Sequence, residues 1–167
     1  MRKMTLMSIA VCAAFLIGAQ ASAQQAPAAP PPAPPAYGAP ISLDQARAAA
    51  AAADAEAKKN GWNMVIAVVG PTGNLIYFQK ADLAPNGSIQ VAQDKARTSA
   101  LFRAPSKVFM DRYTAGETYL AGLTGATLLA GGMPIVVQGK LIGAIGISGA
   151  TALQDHQVAT AGAGAVK

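Results

Sequence analysis

The chain has 167 residues, 13 of them lysine or arginine and 8 aspartate or glutamate, for a formal charge of +5 at pH 7. That modest charge is spread along the chain instead of gathered on one face, which speaks against nucleic-acid binding. The one cysteine, Cys12, falls in the first 23 residues, so the remainder can form neither a disulfide nor a thiolate metal site.

Arg2 and Lys3 precede an apolar run from Met4 to Gly18, followed by Ala21-Ser22-Ala23. A basic start, an apolar stretch and small residues at its end predict a secretory signal peptide, residues 1–23, cleaved after Ala23. A membrane span needs about 20 apolar residues, and Gln20, Gln24 and Gln25 interrupt this one. The expected location is therefore periplasmic or secreted, with no transmembrane segment left after cleavage. Residues 24–40 are a proline- and alanine-rich tract that reads as an extended, semi-rigid spacer with no helix or sheet.

The folded domain is expected over residues 41–167. Ser42 and Gln45 form a capping-box pattern ahead of an alanine-dense helix, Leu43 to Lys59, which Asn60-Gly61 ends. A strand from Trp62 to Val69, a turn at Pro71-Thr72-Gly73-Asn74 and a strand from Leu75 to Lys80 make a first hairpin. After a loop over 81–87, Ser88 is expected to cap a helix to about Phe102, with Ile89, Ala92, Ala96, Ala100 and Leu101 on its apolar side. Pro105 breaks that helix, and Ser106 starts a shorter one to about Tyr113. The glycine-rich loop from Thr114 to Gly132 has room for one short strand near Thr127–Ala130.

A second hairpin follows: Pro134 to Gln138, a two-residue turn at Gly139-Lys140, then Leu141 to Ser148. Gly143, Gly146 and Gly149 are spaced by three, so along a strand they fall on alternating faces. Strand glycines weaken a sheet unless another backbone comes close, so a helix is expected against this hairpin. The last helix runs from Gln154 to about Val166. Helices at both ends with hairpins between them indicate a single α+β domain, an antiparallel sheet with helices packed on it.

Several chemistries fail on spacing. Gly143-x-x-Gly146-x-x-Gly149 lies inside a strand, not between strand and helix, so it is no dinucleotide fingerprint. Asp155 and His156 are adjacent on a helix and point apart, so they do not begin a hydrolytic triad. His156, the one histidine, can offer an imidazole to a metal or to haem iron, or it can be a solvated helix residue. Tyr113, Tyr119, Met110 and Met133 are the other side chains of axial type, and each also reads as core or loop. Lys95, Arg97, Arg103, Lys107 and Arg112 are either a solvated basic face or an anion grip, with Lys95 or Arg103 meeting a carboxylate. Asp94 beside Lys95 reads equally as a stabilising pair.

Two glycines, a proline and apolar residues, then Gly139-Lys140, the Ile142–Ala150 run, Gln154-Asp155 and a small-residue helix, together with Asp94-Lys95-Ala96-Arg97-Thr98-Ser99-Ala100 upstream, resemble the GlcG/HbpS-like haem-binding family. The resemblance covers roughly residues 41–167. It implies a profilin-like sandwich, homo-oligomers and haem as ligand, some relatives being associated with haem breakdown. It favours Lys95 among the anion-binding candidates and selects no single iron ligand. An Arg-Met-Asp-Gly-Ala-like segment expected after the second strand is replaced here by Gln79-Lys80-Ala81-Asp82-Leu83-Ala84. The resulting expectation is an exported haem binder or carrier with no catalytic residue assigned, haem breakdown being left open by the resemblance alone. Its alternative is a periplasmic accessory or sensor module for another small ligand or an envelope partner. The site residues are His156 (also the metal ligand), Lys95, Arg103, Met133 and Tyr113.

Overall fold

The computed structural model describes residues 33–167. The expected signal peptide, its expected cleavage point and the first part of the spacer lie outside the described residues. In chain order the elements are β1 (Ala36–Tyr37), α1 (Leu43–Lys59), β2 (Val65–Val69), β3 (Leu75–Lys80), α2 (Ser88–Phe102), α3 (Ser106–Thr114), a 3-10 turn (Thr118–Gly122), β4 (Gly132–Val137), β5 (Lys140–Ser148) and α4 (Ala152–Gly164).

Local chemistry accounts for most of these boundaries. The reciprocal capping box of Ser42 and Gln45 opens α1, and Thr151 with Gln154 makes a second one that opens α4 two residues before the expected start. Gly87 and Pro105, not Ser88 and Ser106, occupy the cap positions of α2 and α3, and neither helix has a side-chain cap. The second hairpin turns at Gln138-Gly139, one residue earlier than the sequence suggests, with φ of 50° and 74°. Two consecutive left-handed residues are what a tight two-residue hairpin loop demands. No strand forms at Thr127–Ala130, where bends lead into β4.

Strand β5 is the centre of a five-stranded sheet. It pairs antiparallel with β2 on one side and β4 on the other, and β3 lies beyond β2. The spacer contributes too: β1 pairs in parallel with Lys140 and Leu141, and Gly38 N–H donates to the Leu141 carbonyl at 2.7 Å. Structure therefore begins before Ile41, and the sheet is mixed. A proline-rich tract accommodates this because prolines are tolerated beside a two-residue strand that needs few of its own N–H groups.

Side chains of the all-buried strand β2 alternate between two cores. Ile66 and Val68 join Ile145, Ile147, the α1 alanines and Val158 of α4 on one face; Val65, Ala67 and Val69 join Ala92, Ala96 and Ala100 of α2 on the other. Small residues set the distances between layers. A Cβ on Gly146 would lie 2.0 Å from the Ala92 carbonyl oxygen, so α2 rests on the β5 backbone. On the opposite face a Cβ at Gly162 of α4 would lie 2.9 Å from the Ala49 carbonyl of α1. The helix expected against the glycine hairpin is α2. Among the described residues no helix is long and apolar enough to cross a membrane.

Candidate functional site

The five side chains singled out from the sequence do not converge. Lys95 is 2% exposed, on the buried stripe of α2 with Ala92, Ala96 and Ser99. Its Nζ donates to Asp155 Oδ2 at 2.6 Å and to the Ile147 carbonyl at 3.0 Å. Asp155 Oδ1 in turn accepts from the Ala150 N–H at 3.1 Å. Burial pulls the Lys95 pKa down and pushes that of Asp155 up, each opposed by the partner's hydrogen bond and charge. Lys95 is thus neither a solvated cation nor an anion grip; it is a closed tie between α2, β5 and α4. Its partner is also not Asp94, which accepts from Gln90 Nε2 at 2.8 Å on the helix surface. The Gly131-Gly132 pair is explained by the same tie. A Cβ at Gly131 would lie 2.9 Å from Lys95 Nζ, and one at Gly132 2.1 Å from the Lys95 carbonyl oxygen.

His156 sits half-buried on α4, where Lys107 and Asp111 of α3 are the charges that act on its ring. Its Nδ1 is buried without a hydrogen-bond partner. Burial, and then the Lys107 ammonium, lowers its pKa below 6.5, against a smaller opposing pull from Asp111. The folded state therefore binds fewer protons than the unfolded chain. The stability the neutral ring contributes is present above about pH 6.5 and is lost as pH falls through the folded value. Because the chain has one histidine, a proton NMR titration reads this group alone. The midpoint is expected below 6.5 and should rise in Lys107→Ala; a midpoint at or above 6.5 in the parent would contradict the assignment.

Met133 packs partly buried against the core shared by α1 and α4, and Tyr113 stands 39% exposed near the end of α3. Met110 is half-buried on the same helix, and Tyr119 lies out in the 3-10 turn, joined to Glu117 and Arg112. Arg103 ends α2 in a left-handed conformation, φ 54°. Its guanidinium lies over the Tyr37 ring, 5.2 Å from the centroid, and donates to the Pro35 carbonyl at 3.4 Å. Arg103 thereby fastens the end of the spacer to the domain.

That fastening builds one wall of an apolar cavity. Tyr37 donates its hydroxyl to the Leu101 carbonyl at 2.8 Å, which sets the ring beside the end of α2. Tyr37, Gly38 and Pro40 form one wall of a groove of about 670 Å³; the β2–β3 turn, Gly70 to Asn74, and Ile76 form another, with Leu101 between them. No charged side chain lines it. A second, polar cavity of about 460 Å³ shares Leu101 and is lined by Asp94, Arg97 and residues 125–128. His156, Lys95, Met133 and Tyr113 line neither. Sequence reasoning missed this site because its walls come from three separated segments. The available signal was Tyr37-Gly38, a lone aromatic and a glycine in a proline–alanine tract just before the domain.

Comparison with known proteins is consistent across sequence and fold. A family model described as haem-degrading protein HbpS-like matches residues 41–164. Protein GlcG of Escherichia coli (strain K12) is 39% identical over 108 residues, 65% of this chain and 81% of GlcG. The crystal structure of a double mutant of Streptomyces reticuli HbpS superposes with a TM-score of 0.72 at 32% identity, over 84% of this chain and 99% of that one. A crystal structure of a PduOC–haem complex shares the fold, with a TM-score of 0.70 at 23% identity over 77% of this chain and 96% of that one. With a family match over nearly the whole described domain and a fold shared with HbpS, the chain belongs to the HbpS-like family.

Proposed function

We propose that this protein is an exported haem binder or carrier whose haem is held in the groove between Tyr37, Ile76 and Leu101. The groove is the observation that supports the reading best. Its volume of about 670 Å³ falls within the roughly 300–1,000 Å³ of small-molecule sites. Its lining is an aromatic ring, two prolines, an isoleucine and a leucine, with Thr72 and Asn74 as the polar side chains. In size and polarity these residues fit a macrocycle. The HbpS-like family and the PduOC–haem complex supply the reason to name haem among flat apolar ligands.

Bound haem would bring an iron centre capable of ligand exchange and redox chemistry. The chain's own residues supply an apolar surface and the Tyr37 ring. None of the residues lining the groove is Asp, Glu, His or Cys, so capture is favoured over turnover. Tyr37 presents its ring, because its hydroxyl is already engaged with the Leu101 carbonyl. The exported location rests on the amino-terminal signal pattern alone.

The test is a haemin titration of the purified protein, followed by absorption. The parent should saturate at one haem per chain. Ile76→Asp, which sets a carboxylate in an apolar wall on an exposed edge strand, should weaken binding at least about tenfold. His156→Ala should still saturate. Loss of the band in His156→Ala, with Ile76→Asp unaffected, would move the haem to the α3–α4 junction and make the unpartnered imidazole its ligand.

A further inference from the structure

We infer that the apolar groove and the polar cavity beside it are one two-part site, in which Arg97 takes a carboxylate on the edge of a flat apolar ligand. The inference rests on the groove being the ligand's seat. Leu101 lines both cavities. The Arg97 stem crosses under the turn that walls the groove, since a Cβ at Gly73 would lie 3.0 Å from Arg97 Cγ. The guanidinium therefore belongs to a side chain that touches the groove's wall and opens into the polar cavity.

That cavity has a fixed floor. The Thr98 hydroxyl donates to the Asp94 carbonyl at 2.8 Å and accepts from the Thr127 N–H at 2.9 Å, so the 125–128 loop is pinned to α2. Arg97 itself is loosely held. Its contact with Asp94 is 3.7 Å long, between side chains 46% and 45% exposed, and such a pair holds a geometry weakly. Asp94 already accepts from Gln90. Arg97 is therefore free to exchange Asp94 for a ligand carboxylate, which a guanidinium can grip through two hydrogen bonds.

The groove dictates the orientation. It offers a carboxylate no charged partner, and burying an unpaired carboxylate there is costly, so acidic substituents belong at the groove's edge, where the adjoining polar cavity supplies a cation. Arg103, the other cation nearby, is committed to the Tyr37 ring and the Pro35 carbonyl. Arg97 is the anchor. The ligand class is a planar apolar molecule bearing a carboxylate at one edge.

The test compares haemin with its dimethyl ester, which lacks free carboxylates, on the parent and three variants. Arg97→Gln should weaken haemin about tenfold and leave the ester within about twofold of the parent. Asp94→Asn should tighten haemin, because it removes both a competing partner and a like charge, and should leave the ester unchanged. Both positions are half-exposed, so the variants should fold normally. Equal effects of Arg97→Gln on the two ligands, or none on either, would overturn the carboxylate anchor while the groove stands. Parent-like binding of both ligands by Ile76→Asp would instead overturn the groove itself, and the anchor with it.

Discussion

Lys95→Ala is expected to cost about 3–5 kcal/mol of folding stability, the range for removing one partner of a buried ion pair. The variant leaves the Asp155 carboxylate, 2% exposed, with only its backbone N–H donors. It also leaves the Ile147 carbonyl without its 3.0 Å partner. Both losses fall where β5, α2 and α4 meet, so no single element can relax around them. The pair is not, however, a large net source of stability, since desolvation of both charges opposes their attraction. Lys95→Met combined with Asp155→Leu should therefore be closer to the parent than either substitution alone. Urea denaturation of the set measures this. A loss below about 1 kcal/mol in Lys95→Ala would place the pair in the class of exposed ion pairs and remove its structural role.

Gly146→Ala is expected to be nearly as damaging, although it adds one methyl group. Its Cβ would lie 2.0 Å from the Ala92 carbonyl oxygen, 2.5 Å from the Ala96 nitrogen and 2.9 Å from the Ala96 Cβ. Two of these obstacles are helix backbone, which cannot rotate away as a flexible side chain would. Helix α2 must lift from the sheet, separating Ala92 and Ala96 from Val65, Ala67 and Ala144. Overpacking commonly costs about 1–3 kcal/mol, and a backbone obstacle puts this position at or above the top of that range. Gly122→Ala is the matched control: nothing lies within 4 Å of its Cβ, and its cost should stay within about 0.5 kcal/mol. Thermal or urea midpoints of the two variants give the comparison directly. Equal midpoints would show that α2 does not rest on the β5 backbone.

Much of the frame was legible before any coordinates, because the signals are local. A capping box needs two residues three apart, and the Ser42–Gln45 pair places the start of α1 to the residue. Leu75 to Lys80 is a strand with the bounds its pattern predicts. Glycines at 143 and 146 foretold a close backbone approach, and α2 makes it at Gly146. The second turn slipped by one residue, since Gln138-Gly139 and Gly139-Lys140 both carry a glycine and only the strand register chooses between them.

What the sequence by itself determined is the four helices and four of the five strands, the α+β class and the family. What the tertiary structure decided is where the charged and aromatic residues face. Lys95 and Asp155 each sit on a stripe of small residues spaced three and four apart, Ala92-Lys95-Ala96-Ser99 and Asp155-Val158-Ala159-Gly162. That spacing announces burial, but a lone charge on such a stripe has no meaning until its partner is known, and the partner is 60 residues away. Tyr37 is the same problem at the other end of the chain. Proline content argues against regular structure, and β1 overturns that at Ala36–Tyr37, because the parallel bridge to β5, the hydroxyl contact with Leu101 and the stacked Arg103 are all long-range. Propensity and spacing act over a single turn or strand. The groove exists only where three distant segments meet, so only the folded chain shows it.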